Sequence, residues 1–128
     1  LGVGELSAYA FELVDFIADA ARADGVSLLD AIKRASAAQI KKTQDGLVLT
    51  GVSANSASST FSFVSSFRPA QIIQLLNLLR QLHALALADL MRGGNEDPTD
   101  AEILNWIHLH IGDCFYTSEI IDYRRAIL

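Results

Sequence analysis

Residues Gly46 to Pro69 read GLVLTGVSANSASSTFSFVSSFRP, and this stretch decides how the chain is divided. Apolar residues alternate with polar ones here, the period of a strand with one buried face. Folding the stretch about Asn55, with Ala54, Asn55 and Ser56 as a three-residue loop, sets Leu47 opposite Phe63 and Leu49 opposite Phe61. Those four residues make one apolar face, and cross-strand pairs of this kind stabilise a sheet. The other face carries Val48, Thr50, Val52, Ser58, Thr60 and Ser62 and is semi-polar. Any other register mixes the two sets, so the pattern selects its own pairing. Asn55 suits a left-handed loop position. A solitary hairpin is marginal in water. It must lean on helices or pair with another molecule.

Outward from the hairpin the spacing turns helical. Leu6, Tyr9, Ala10, Leu13, Phe16, Ile17 and Ala20 recur at three- and four-residue steps and predict a helix over about 5–23, ended by Gly25. Ser27 caps a second helix over about 28–42, whose stripe is Leu28, Leu29, Ile32, Ala35 and Ile40. Asp45-Gly46 marks the turn into the hairpin, placed at about 46–65. Pro69 opens a third helix over about 69–92, apolar on more than half of its circumference. Gly93-Gly94 stops it. Thr99 and Glu102 form a capping box for a fourth helix over about 100–111, and Ser118 to Ile127 suggest a short fifth. The expected fold is mainly α (α+β): about five helices and one two-stranded antiparallel hairpin between the second and third, in a single domain over 1–128.

Composition narrows the function classes. A net charge of −5 argues against a nucleic-acid surface, which needs clustered Lys and Arg. The short basic groups Lys33/Arg34, Lys41/Lys42 and Arg124/Arg125 fit helix ends and solvated faces. The single cysteine, Cys114, cannot form an internal disulfide and fits a reducing compartment. Ile72 to Leu90, the most apolar long span, includes Arg80 and Asp89 and is too polar to cross a membrane. The acidic start has no basic head and does not resemble a signal peptide. The hydrophobic fraction, 51%, is high for a small domain and suggests surface covered by other subunits.

No catalytic motif emerges. His108 and His110 lie two apart and point different ways on a helix, and no Cys-x-x-Cys or His-x-x-x-His pair exists, so no metal site is expected. A nucleophile pairing Cys114 with a histidine lacks any element to stabilise an oxyanion. His83 is a distant addition to either idea. The serines at 53–66 contain no Gly-x-Ser-x-Gly, and Gly93-Gly94 lacks the Lys-Ser/Thr of a phosphate loop. Trp106, Tyr116 and Tyr123 serve packing more readily than a pocket. No catalytic residue, metal or cofactor is expected.

The order helix, hairpin, Pro-led leucine helix, from about Leu28 to Leu82, resembles the small head–tail joining or neck (connector) proteins of tailed bacteriophages, of the lambda W type. Asp45-Gly46, the alternating Leu47–Val52, the Ser-rich Ser53–Ser62 with Phe61 and Phe63, and Pro69-Ala70-Gln71-Ile72-Ile73 carry the resemblance. It implies a structural subunit of a ring between portal and tail, found in the virion or the host cytoplasm. Its partners would be copies of itself and other structural proteins, with no membrane. Joining proteins of that type tend to be basic; this acidic chain points to protein contact instead of DNA. The residues expected to meet partners are Val48, Thr50, Val52, Asn55, Ser58, Thr60 and Ser62 of the hairpin, with Leu78 and Leu87 of the third helix. The competing expectation is a small bacterial helical partner-binding or regulatory module that offers the third helix as a groove.

Overall fold

The computed structural model describes residues 3–55, 60–63 and 67–112. Helix α1 spans Val3–Asp24 and α2 spans Leu28–Ala37; strands β1 (Gln39–Thr43), β2 (Gly46–Thr50) and β3 (Thr60–Phe63) follow, then helices α3 (Pro69–Arg92) and α4 (Asp100–Ile111). The mainly helical character with a small antiparallel sheet agrees with the sequence; the details differ in three places. The expected fifth helix over 118–127 lies outside the described residues.

Helix ends follow their local chemistry. Gly25, at φ 64°, closes α1 with Val26 N–H donating to Ala21 O at 3.0 Å and Gly25 N–H to Arg22 O. The Ser27 hydroxyl accepts the Asp30 N–H at the start of α2. At α3 the Gln71 side-chain amide oxygen Oε1 accepts the Arg68 N–H at 2.8 Å beside Pro69. The Thr99 hydroxyl accepts the Glu102 N–H and the Glu102 carboxylate accepts the Thr99 N–H, so the capping box of α4 closes in both directions. These bonds to Thr99, the backbone N–H first, hold the Glu102 carboxyl below its usual range.

The first difference is the sheet, which has three strands in the order β1-β2-β3. The second is its cause: α2 stops at Ala37, and residues 39–43 form a strand, not the helix's last turns. Ala38 turns extended, at φ −73° and ψ 161°, and Ile40 pairs with Leu49. A hairpin alone would leave one backbone edge of β2 without partners, and buried backbone groups demand them. Residues 39–43 supply those partners through the two-residue connection Gln44-Asp45, where the Thr43 hydroxyl donates to Gly46 O at 2.9 Å.

The β2–β3 register is the expected one: Leu47 pairs with Phe63 and Leu49 with Phe61. The third difference lies past Thr50. Pairing ends at Thr50 and Thr60, and Gly51, at φ 83°, takes the left-handed conformation expected of Asn55. No described non-glycine residue has positive φ. Val52 therefore leaves the strand and turns into the core, where it is 1% exposed.

Leu47, Leu49 and Phe63 lie in the same buried cluster as the helices. The inner face of the sheet meets α1 through rings. Tyr9 stacks on Phe63 at 5.6 Å between centroids, Phe16 meets Phe61 at 5.4 Å, and Phe67 closes on both Tyr9 and Phe63. Such ring pairs add to the burial itself. Helices α1 to α4 pack α1 on α2, α2 on α3, and α4 on both α3 and α1. Leu13, Ile17, Ile32, Ile72, Leu79 and Ile107 are fully buried between them. No described helix is long and apolar enough to cross a membrane.

Phe63 is 3% exposed and central to the ring cluster, whereas Phe61 is half-buried. Phe63→Ala is expected to cost about 3–5 kcal/mol of unfolding free energy. Phe61→Ala is expected to cost distinctly less, and urea denaturation of the two variants checks the order.

Candidate interaction surface

The sheet divides the expected residues by side. Inner rows hold Ile40, Leu49 and Phe61, then Lys42, Leu47 and Phe63. Outer rows hold Gln39, Thr50 and Thr60, then Lys41, Val48 and Ser62. The outer rows face away from the helices because side chains alternate along each strand. Thr60, Ser62, Gln39 and Lys41 are exposed, and Val48 and Thr50 are half-buried by their neighbours. The Thr50 hydroxyl donates to Gln39 O across the ladder. Lys41 is the single charge among these six residues.

β1 and β3 are the outer strands, and each has an edge that no described strand pairs. The two edges differ. β1 carries Lys41 and Lys42, the usual protection of an edge against unwanted pairing. β3, Thr-Phe-Ser-Phe, carries no charge at all.

The loop beyond β2 is pinned by one carboxylate. Asp24, the last residue of α1, accepts the Ser53 hydroxyl at 2.8 Å, the Ala54 N–H at 3.0 Å and the Asn55 N–H at 3.1 Å. Arg34 of α2 donates to it at 2.8 Å. The Asp24 side chain is 3% exposed, and Ser53 is buried. The Ala54 N–H foremost, then the Ser53 hydroxyl, holds the Asp24 carboxyl below its usual range.

Among the residues expected to meet partners, Val48, Thr50, Thr60 and Ser62 come together on the outer face. Asn55 is exposed on the pinned loop, with its N–H committed to Asp24. Val52 and Leu78 correct the expectation: at 1% and 3% exposure both are packed in the chain's own core. Val52 turns inward after Gly51, and Leu78 lies on the buried side of α3. Leu87 is half-buried on α3, and Ser58 lies outside the described residues.

The histidines are occupied by structural partners. His108 Nε2 lies 2.6 Å from Asp15 Oδ1 and its ring stacks on Phe11. His110 stacks on Trp106 at 4.0 Å between centroids, with Nδ1 at the Trp106 carbonyl, while Trp106 donates its indole N–H to Asp89. His83 is buried, and desolvation pushes its pKa down against the pull of Asp100. No group of three His, Cys, Asp or Glu residues is placed to hold a metal among the described residues; Cys114 lies outside them. A hollow of about 240 Å³ between α1 and α4 holds Arg22 and Asp100 in an otherwise apolar lining. Asp100 is already engaged there, accepting the Leu28 N–H at 2.9 Å. No family model, curated protein or solved structure matches the chain.

Two outcomes follow for acid stability. The lowered pKa of Asp24 means that its stabilisation is present above the ordinary carboxylate range and is lost as pH falls through and below it. Asp24→Asn is expected to melt at a lower temperature at neutral pH and to lose less on acidification, as thermal melts from neutral to strongly acidic pH would show. His83 acts at milder pH. Its lowered pKa means that the unfolded chain takes the proton first, so stability falls as pH drops below about 6.5. His83→Leu is expected to flatten the melting temperature between mildly acidic and neutral pH, measured against the wild-type chain.

Proposed function

We propose that this chain is a structural assembly subunit that acts by protein–protein contact and carries no catalytic activity. The observation that carries the proposal is the unequal use of the sheet. Its inner face is consumed by the ring cluster on α1, while its outer face and an uncharged edge strand, β3, have no partner among the described residues. An open edge is a template for strand addition by another chain. Main-chain hydrogen bonds then supply affinity, and alternate side chains supply selectivity.

The partner proposed is another copy of the chain or a neighbouring structural protein. The β3 edge of one copy meeting a different surface of the next is a head-to-tail contact, and head-to-tail contacts close into rings when the rotation permits. The resemblance of residues 28–82 to phage head–tail connectors supports the same architecture, a neck-type ring. The semi-polar rows of Thr50, Thr60, Val48 and Ser62 suit a contact made after folding better than a permanently buried core.

Thr60→Lys with Ser62→Lys places two cations beside the β3 edge and leaves the inner face untouched. The wild-type chain is expected to form rings or larger oligomers by electron microscopy and sedimentation velocity, and the double variant to lose them with an unchanged circular-dichroism spectrum. A wild-type chain that stays monomeric at high concentration overturns the proposal, as do rings that persist in the double variant.

A further inference from the structure

Three large apolar side chains are exposed among the described residues: Ile73 at 49%, Met91 at 51% and Leu109 at 68%. Two of the three stand on one line along α3. Ile73, Asn77, Arg80, Ala84, Leu87 and Met91 follow one another at steps of four, three, four, three and four residues. That spacing keeps them on one side of the helix and is the repeat of a coiled-coil seam. All six are exposed except the half-buried Leu87, so the line runs down the middle of the solvent side of α3. It is about 27 Å long from Ile73 to Met91.

The line is also nearly free of charge. Between Pro69 and Ala88 the only charged residue is Arg80. The exposed side of α1 offers the contrast, with Glu12, Asp15, Asp19 and Arg22. A solvent-facing helix surface ordinarily carries charges like those. On a chain of net charge −5, the approach of a second copy is opposed nearly everywhere. On the α3 line, as at the β3 edge, that opposition is absent.

We infer that the outer line of α3 is a self-pairing surface, on which a second copy packs its own α3 antiparallel about a two-fold axis near position 82. The pattern is complementary to itself in that direction. Ile73 then meets the second copy's Met91, Asn77 meets its Leu87, and Arg80 lies over its Ala84. The apolar ends cover each other, and the long guanidinium stem runs across a small residue. A parallel pair instead sets Arg80 against Arg80 and Asn77 against Asn77. The occupant is thus a second copy of this chain, since the seam requires a helix with matching spacing and opposite order. One helix pair buries less than the roughly 1,600 Å² of a standard stable interface, so the pairing depends on concentration. This contact goes beyond the sheet-based assembly, because the two surfaces lie on different elements and can be removed separately.

The test uses the chain carrying Thr60→Lys and Ser62→Lys, from which the sheet contact is removed, under reducing conditions. Sedimentation velocity is expected to show a monomer–dimer shift across the micromolar range. Adding Ile73→Glu and Met91→Glu is expected to leave the circular-dichroism spectrum unchanged and to weaken the dimer at least tenfold. A charge swap tests direction and guards against a variant that fails to fold: Asn77→Glu and Leu87→Lys are each expected to weaken pairing, and together to restore it. A folded Ile73→Glu/Met91→Glu variant that dimerises like its parent overturns the inference, as does a parent that stays monomeric. A swap that fails to restore pairing overturns the antiparallel arrangement. A Thr60→Lys/Ser62→Lys parent that stays monomeric while the chain of native β3 sequence forms rings removes this inference alone; a parent that dimerises while the chain of native β3 sequence forms no rings removes only the sheet-based proposal.

Discussion

The Asp24 carboxylate is the point on which the placement of the sheet depends. It is the last residue of α1, a position where the helix dipole disfavours an anion. It is held there by donors from two other parts of the chain: the guanidinium of Arg34 in α2, and the hydroxyl and N–H groups of residues 53–55. One side chain thereby fixes the α1–α2 corner and the exit of β2 together. Buried carboxylates are tolerated when donors surround them, and the same donors keep this one ionised. The loop following Gly51 is consequently anchored to the helices at its start, and β2 is held from its far end as well as through its ladder.

The rings complete that placement from the other side. Tyr9 and Phe16 are seven residues apart on α1, so they lie two helical turns apart on one face. Phe61 and Phe63, two apart on β3, also share one face. Tyr9 on Phe63 and Phe16 on Phe61 therefore set one face of the helix against one face of the strand. The match fixes which sheet face is spent on the core. Val48, Thr50, Thr60 and Ser62 are left outward by that choice, and no separate cause for their exposure is needed.

Much of this was legible locally. Caps at Ser27, Pro69 and Thr99 set helix starts, because each acts within three residues. The β2–β3 register was legible because a slip by one residue would turn Leu47, Leu49, Phe61 and Phe63 to water. Strand β1 was not, since Ile40 is its single large apolar residue and a helical stripe can absorb it. The gap from Ala35 to Ile40, five residues, breaks helical spacing and was the available sign. The left-handed position fell on Gly51 although Asn55 is also suited to it, because glycine enters that region without penalty. The Asp24 clasp left no local trace, as its partners are 29 to 31 residues away in the loop. The same holds for His108 and Asp15, 93 residues apart. Val52 and Leu78 were placed at a surface by periodicity, whereas a turn and a central helix put them inside.

What the folded chain leaves uncovered has a consistent character. Among the described residues most exposed charges lie on α1, α2, the end of α3, the loop before α4 with the first turn of that helix, and the Lys-bearing edge of β1. The outer line of α3 and the edge of β3 are nearly neutral, and each is extended along a regular element instead of scattered. Charge-poor surface on an acidic chain is not required for stability, since solvated charges cost a fold little. It is required wherever two such chains must approach closely. The high apolar fraction of the sequence therefore has two destinations. Most of it fills the core around Leu13, Ile32, Ile72 and Ile107. Among the described residues a remainder stays exposed: Leu109 on α4, and Ile73 and Met91 on a helix whose inner side is already packed.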